Sequence, residues 1–519
     1  MSATTTFHFT LGPVQGFVAQ ARRTRDFWAG SFLLSWLAGV AMLAVRAQGG
    51  DIRFPNPAED YLAWLQGKGK GDPPRQGCIP NRFKAIRAEV DPNFNPQQVE
   101  QSVRTAWTAL AEAVWHQDLG KLELDSDSTQ TRAIWERQIE AFWEITWVLG
   151  EADDLLDRRK NWRSHWSPEE AGVKCSIMAG WQELSGAHDP SRDPRLKAFW
   201  EPLHKQHERD FEADEQLCAI AFVKRRFVRC FKALQVPMPD GSTLHGWEVD
   251  PQVPSTLDFA VANWVSEAVT HNPAEAWNAV TTAASDLFKP QDCGLGKLRC
   301  IKDACALPKE QSPINSSALF EHSLDNPALC PARGKVAKLK KAIKGLQHQA
   351  LPAPFYAVLL MDGDRLGALL RDHKPEAISA ALEHFTQAVP GLVDTYNGFL
   401  VYAGGDDVLA LLPLADALAC ATAIRQCYLD AMQQALGVTP SPSTLSAAVQ
   451  FAHVKIPLTR ILRDAHDLLD NLAKDRTGRD ALAVRVWKPS GRALQWSRPW
   501  AKALQGDGQQ QRLILERLA

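Results

Sequence analysis

The chain has 519 residues, with 58 Lys plus Arg against 60 Asp plus Glu, a net charge of −2, and 45% apolar residues. That balance excludes an intrinsically disordered chain and a polycationic nucleic-acid binder. The length exceeds what one hydrophobic core serves, so roughly three domains are expected. Ten cysteines scattered along a chain that opens without a cleavable leader fit reduced thiols in the cytoplasm, not a disulfide framework.

Thr5 to Thr10 alternates as a strand does, Gly12-Pro13 is a break, Val14 to about Gln48 has the pattern of a long helix, and Asp51 to Phe54 is a second short strand. This is a βαβ opening. Phe27 to Val45 is apolar and follows Arg22, Arg23 and Arg25 as a membrane anchor would, but its Gly, Ala and Ser content and the strand before it favour a buried helix, and no membrane is expected. From Val99 to about Trp166 apolar residues recur at helical spacing, among them Trp107, Trp115, Trp135, Trp143 and Trp147. Tryptophans so spaced are expected in the core, not stacked on bases.

Residues 167 to 350 are irregular, rich in cysteine, and close on a basic run of Lys335, Lys338, Lys340, Lys341 and Lys344. That run reads as a solvated helix face, with contact to RNA phosphates the minority alternative. The last third is better ordered. Phe355 to Met361 is an apolar strand, Glu376 to Tyr396 a helix, and Phe399 to Ala403 and Val408 to Leu412 two strands around Gly-Gly-Asp-Asp. Leu445, Ala447, Val449 and Phe451 mark one face of another strand; Pro457 to Lys474 is a helix closed by Gly478, and Ala481 to Trp487 a strand. This order contains the core of a ferredoxin-like palm.

Two acidic clusters fall at strand ends that such a palm brings together: Asp362-Gly363-Asp364 and Asp406-Asp407. Hard cations prefer carboxylates plus substrate phosphates, and a pair of ions stabilises both the attacking and the leaving oxygen of a phosphoryl displacement. Asp362, Asp406 and Asp407 are therefore the candidate catalytic residues and ligands of two Mg²⁺ or Mn²⁺ ions. Gly404 and Gly405 permit a tight turn and close approach of a triphosphate. Gly and Asp are also ordinary turn residues; the second acidic pair and a downstream lysine decide against the ordinary reading. The segment Ala473-Lys474 to Gly478-Arg479 resembles the AK-x-x-GR signature of GGDEF diguanylate cyclases, with one more residue between Lys and Gly. By that resemblance Lys474 meets the triphosphate, although a lysine at a helix C-terminus also complements the helix dipole. With Lys474, the residues Gly363, Asp364, Gly404 and Gly405 make up the expected nucleotide-binding set.

Taken together, Gly12-Pro13-Val14-Gln15-Gly16-Phe17-Val18, Thr24-Arg25-Asp26-Phe27-Trp28-Ala29-Gly30-Ser31, Ile79-Pro80-Asn81-Arg82-Phe83, Pro254-Ser255-Thr256, Met361-Asp362-Gly363-Asp364-Arg365-Leu366-Gly367 and Gly404-Gly405-Asp406-Asp407 resemble, in order, the large catalytic subunit of Cmr-type, type III-B CRISPR effector complexes. The resemblance runs from residue 1 to about 492. It implies an α+β chain of two palm domains with a helical, cysteine-containing middle: 1–150 a first palm without the acidic motif, 151–350 a linker with a degenerate zinc knuckle, 351–490 the second palm, and 491–519 a short tail. It further implies ATP as substrate, cyclic 3′-5′ oligoadenylate as product, guide and target RNA and other complex subunits as partners, and target RNA as the trigger.

Three departures stand out. His188-Asp189 and His466-Asp467 lie far from where an HD nuclease domain would be, so no HD-type DNase is expected. The knuckle halves read Lys174-Cys175-Ser176-Ile177-Met178 and Leu217-Cys218-Ala219-Ile220-Ala221, one sulfur short in each, which rules out four-thiolate zinc there. Cys293, Cys300, Cys305 and Cys330 lack knuckle spacing and are expected to be free thiols. The third departure is the short tail, where relatives carry a helical domain. The readings set beside the synthase are a catalytically silent scaffold of the same complex, and an enzyme joining AMP to another acceptor such as S-adenosylmethionine. A diguanylate cyclase is disfavoured by Asp407 in place of glutamate, and a Walker-type loop by Leu298 after Gly296-Lys297.

Overall fold

The computed structural model describes residues 6–87, 94–120, 128–152, 154–161, 170–208, 210–212, 214–288, 294–304, 314–325, 333–347, 351–505 and 512–513. The chain divides into two compact units, Met1–Arg22 with Asp26–Pro251, and Gln252–Ala519 with Arg23–Arg25.

The first unit is built on β1 (Thr6–Gly12), α1 (Thr24–Ala47), β2 (Gly50–Phe54), β3 (Arg82–Arg87), α2 (Pro96–Val114), α3 (Ser128–Ala141) and β4 (Glu144–Leu149). Its sheet has the order β2-β3-β1-β4, antiparallel throughout, the strand order of a ferredoxin-like palm. The apolar helix α1 is long enough to cross a membrane, yet 94% of its apolar window is buried inside the protein, as a core helix that is hydrophobic all round must be. It begins at Thr24, ten residues later than the apolar pattern suggests. The reason lies in a buried lysine: Lys224 donates to the carbonyls of Phe17 and Gln20 at 2.5 and 2.8 Å, which diverts them from a helical ladder.

Glu144–Leu149 is a strand although its tryptophan spacing suggests continued helix. The run Glu-Ile-Thr-Trp-Val-Leu is β-branched and aromatic, and it completes the palm by pairing with β1. Trp107, Trp115, Trp135 and Trp143 are buried in the core; Trp166 lies outside the described residues. A short helix α4 (Ala219–Arg226) carries three basic residues inward. Arg225 bridges Asp26 (2.5 and 2.8 Å) and Glu215 (2.9 Å), while Arg226 takes Asp118 (2.6 and 2.8 Å) and Asp210. Each buried guanidinium thus has its own carboxylates, the condition for burying charge at tolerable cost.

The second unit contains α5 (Thr256–His271), β5 (Phe355–Asp364), α6 (Pro375–Thr395), β6 (Phe399–Gly404), β7 (Asp407–Pro413), α7 (Ala417–Leu436), β8 (Thr444–His453), α8 (Leu458–Asp467), β9 (Ala481–Lys488) and β10 (Gly491–Pro499). The sheet order is β10-β9-β8-β5-β7-β6. Within it β6-β7-β5-β8 repeats the order of the first palm. Strand β9 adds in parallel to β8, and β10 pairs antiparallel with β9, so residues after Gly491 extend the sheet. Tyr356 to Met361 is buried at every position, because helices cover both faces: α7 and α8 reach β8 and β5, and α5 reaches β5 and β7. The basic run forms a helix over Arg333–Lys344, where Lys338 pairs with Asp286 and Lys340 with Asp325 at the surface. Cys293, Cys305 and Cys330 lie outside the described residues, and Cys300 is a half-buried free thiol.

Candidate active site in the second palm

The acidic residues are brought together by strand register. Met361 pairs with Val408, and continuing one residue toward the strand ends sets Asp362 beside Asp407 and Gly363 beside Asp406. Gly404 pairs with Asp407, which leaves Gly405-Asp406 as a two-residue hairpin loop. Gly405 has φ +65°, the left-handed first position that such loops assign to glycine. Gly363 is required for a different reason: a Cβ there would meet Asp406 Oδ2 at 2.6 Å and the Tyr428 hydroxyl at 2.9 Å.

Crowded carboxylates resist ionisation. Asp406 is pushed up to about 7 by burial first and by the Asp362 charge second. Asp407 is held well above the ordinary carboxylate range by desolvation, then by Asp406 and Asp362; because it keeps a solvent-open face, the repulsion is the cause that persists. Among the described residues the ammonium of the cluster belongs to Lys474, which is ion-paired with Asp362. The sequence pattern directs Lys474 to a triphosphate; in the structure it rests on a carboxylate.

The helix that carries Lys474 explains the extra residue in its signature. Over Leu468–Arg476 the chain winds as a π-helix, and the Thr477 N–H reaches back five residues to the Leu472 carbonyl at 2.9 Å. Wider winding absorbs an inserted residue without ending the helix, and such segments are rare and concentrate at functional sites. The turn that follows runs through three left-handed residues, Gly478, Arg479 and Asp480.

Asp364 is placed differently from its expected nucleotide contact. Its buried carboxylate accepts from Thr444 Oγ1 at 2.8 Å, Ser446 Oγ at 2.9 Å and the Asp480 N–H at 3.0 Å, so its oxygens are already engaged. Arg425 donates to the Asp480 carboxylate at 2.8 Å. Asp364 and Arg425 therefore pin the turn behind Lys474. Sequence reading missed Arg425, Asp480 and Tyr428. Only Asp480 carried a signal, standing directly after the Gly-Arg pair. His466 also lies within electrostatic reach of Asp362 and Asp470, with its pKa lowered chiefly by burial.

A hard divalent cation fits these donors. Among the described residues no group of three or more His, Cys, Asp or Glu side chains is already arranged to hold a metal ion. The acidic cluster is instead open, as magnesium sites completed by phosphate and water are.

The family model for the second palm domain of Cas10/Cmr2 matches residues 355–483, and that for the N-terminal part of CRISPR-associated protein Cmr2 matches residues 6–112. The chain thus carries stretches similar to the second palm domain of Cas10/Cmr2 and to the N-terminal part of Cmr2. The Cmr2 subunit of the Pyrococcus furiosus CRISPR system Cmr is 27% identical over 550 residues, which cover 92% of this chain and 61% of that relative; the chain thus spans about three-fifths of it. Among solved structures, the type III-B Cmr-beta complex superposes in its apo state with TM-score 0.66 at 15% identity, and bound to cognate target RNA with TM-score 0.60 at 14% identity. Each match covers 96% of this chain and 70% of the other. The Cas10/Cmr2 palm architecture is therefore present in both units.

Zinc, which the Cas10/Cmr2 resemblance implies for the middle region, does not fit the residues present. Cys175 accepts N–H groups of Ile177 and Met178 at 3.5 and 3.3 Å, and Cys218 lies 3.9 Å from the Met178 sulfur. Both thiols are buried. Met178 and Ala221 stand where second thiols would be, so the knuckle is closed by sulfur hydrogen bonds and packing.

Proposed function

We propose that this chain polymerises ATP into cyclic 3′-5′ oligoadenylate, as the catalytic subunit of a cytoplasmic type III-B ribonucleoprotein switched on by target RNA in antiviral defence. The observation that carries this reading is the convergence of Asp362, Asp406 and Asp407 from adjacent strands of a palm, with the Lys474 ammonium beside them. Guide RNA and the other complex subunits are the partners this reading requires.

Asp362, Asp406 and Asp407 would hold Mg²⁺ or Mn²⁺, which when bound supplies Lewis acidity at the α-phosphate and lowers the pKa of the attacking 3′-hydroxyl. Gly404 and Gly405 let the triphosphate approach the hairpin without meeting a side chain. Lys474 neutralises charge on the phosphates as pyrophosphate leaves. Asp364 acts as a positioning residue: it holds β8 and the turn after Lys474 in place. The chain's contribution is thus orientation and charge neutralisation, which suffices for phosphoryl transfer.

The test is to supply the reconstituted complex, with guide and matching target RNA, with labelled ATP and Mg²⁺ or Mn²⁺, and to resolve products by mass. Cyclic oligoadenylate formed only with target, and lost in Asp406→Ala/Asp407→Ala while assembly persists, is the expected result. Undiminished synthesis by that variant would overturn the site. Absence of ATP consumption despite target binding would favour a scaffold, and an AMP adduct of another acceptor would change the substrate.

A further inference from the structure

The residue expected to grip the nucleotide is instead engaged with an expected metal ligand. Lys474 and Asp362 are ion-paired with side chains 16% and 26% exposed, so the pair is sheltered from screening but open enough to exchange partners. Among the described residues, Asp362, Asp406 and Asp407 crowd this cleft, with Asp364 behind them, against the ammonium of Lys474. Like charges this close repel, and whichever of the carboxylates are ionised favour a cation beside them whether or not metal is bound.

We propose that Lys474 is a counter-ion latch: in the nucleotide-free protein its ammonium substitutes for the metal on Asp362, and metal with nucleotide binds by exchange, the cation taking Asp362 and the phosphates taking Lys474. The inference rests on the catalytic reading of this site and adds how the site is kept closed to metal alone. The backbone is suited to the exchange. The turn after the π-helix is tied down through Asp364 and Arg425, so only the lysine side chain has to move, and rotamer changes are fast. The π-helical winding sets that side chain within reach of Asp362. A latch of this kind makes metal and nucleotide bind cooperatively, because each removes the competitor of the other.

The experiment measures Mn²⁺ binding to the full chain, without nucleotide, by electron paramagnetic resonance of the free ion. Lys474→Met is expected to bind Mn²⁺ about tenfold more tightly than the parent, and Lys474→Gln to do the same, which guards against a folding defect in either. In an Asp362→Asn background the lysine substitution should change nothing; in an Asp407→Asn background the gain should persist. Equal or weaker binding by both lysine variants would overturn the latch. So would a gain of the same size in the Asp362→Asn background, because the lysine would then act only through the general field. No ATP enters this titration, so failure of oligoadenylate synthesis bears on the proposed function alone.

Discussion

Gly363 packs against Asp406 so closely that a Cβ on Gly363 would stand 2.6 Å from Asp406 Oδ2 and 2.7 Å from Asp406 Cβ. One strand thereby shapes the carboxylate of the neighbouring hairpin. Gly363→Ala must displace Asp406, and a displacement of about 1 Å in such a site costs about 100-fold in rate. Alanine is otherwise tolerable in a strand, so the melting temperature should stay within a few degrees of the parent. Target-stimulated ATP turnover and a thermal melt, taken on the same preparation, check both halves; near-parental turnover would show that the Asp406 position is not critical.

The metal-free cluster should make stability depend on pH in a defined direction. Asp406 titrates near 7 in the folded chain against 3.8 ordinarily, so between those values the folded state keeps a proton that the unfolded chain has lost. Stability contributed by that proton falls as pH rises from about 4 to about 7, and the repulsion is fully present above 7. Mn²⁺ can replace the proton only where the carboxylates are ionised. Thermal melts with and without Mn²⁺ should therefore show a larger stabilisation by metal at pH 8 than at pH 6, and Asp406→Asn should raise the metal-free melting point at pH 8.

In the first unit, Arg225 is wholly buried between Asp26 and Glu215. Arg225→Met strands two buried carboxylates, and breaking such a pair typically costs about 3–5 kcal/mol. Urea unfolding followed by tryptophan fluorescence should show a loss of that size. A change below about 1 kcal/mol would mean that the carboxylates find other partners, Arg22 being the nearest to Glu215.

The degenerate knuckle should be indifferent to chelators. Metal-built knuckles unfold when zinc is removed, because metal binding is their folding energy. Here Cys175 and Cys218 are held by N–H groups and by Met178. Incubation with EDTA or phenanthroline should leave the melting temperature unchanged, and elemental analysis should find no stoichiometric zinc at this site; a drop of several degrees on chelation would contradict the assignment.

The order of the second palm was legible in the chain because each element carries its own period: apolar Phe355 to Met361, alternating Leu445 to Phe451, and glycines where the hairpin turns. The acidic residues were legible for the same reason, since strand ends and turns are local features. Local signals failed where distant groups decided the outcome. Lys224 captures the Phe17 and Gln20 carbonyls and delays α1 to Thr24. Pairing with β1 makes Glu144–Leu149 a strand in spite of its helical tryptophan spacing. Asp364 and Asp362 look alike in sequence, yet β8 hydroxyls and the Asp480 amide claim the first, while a π-turn delivers Lys474 to the second. Residue types and periods thus set which groups reach the cleft, and only the tertiary structure, by placing donors from distant segments, decided which carboxylate is held by hydroxyls and an amide and which pairs with Lys474.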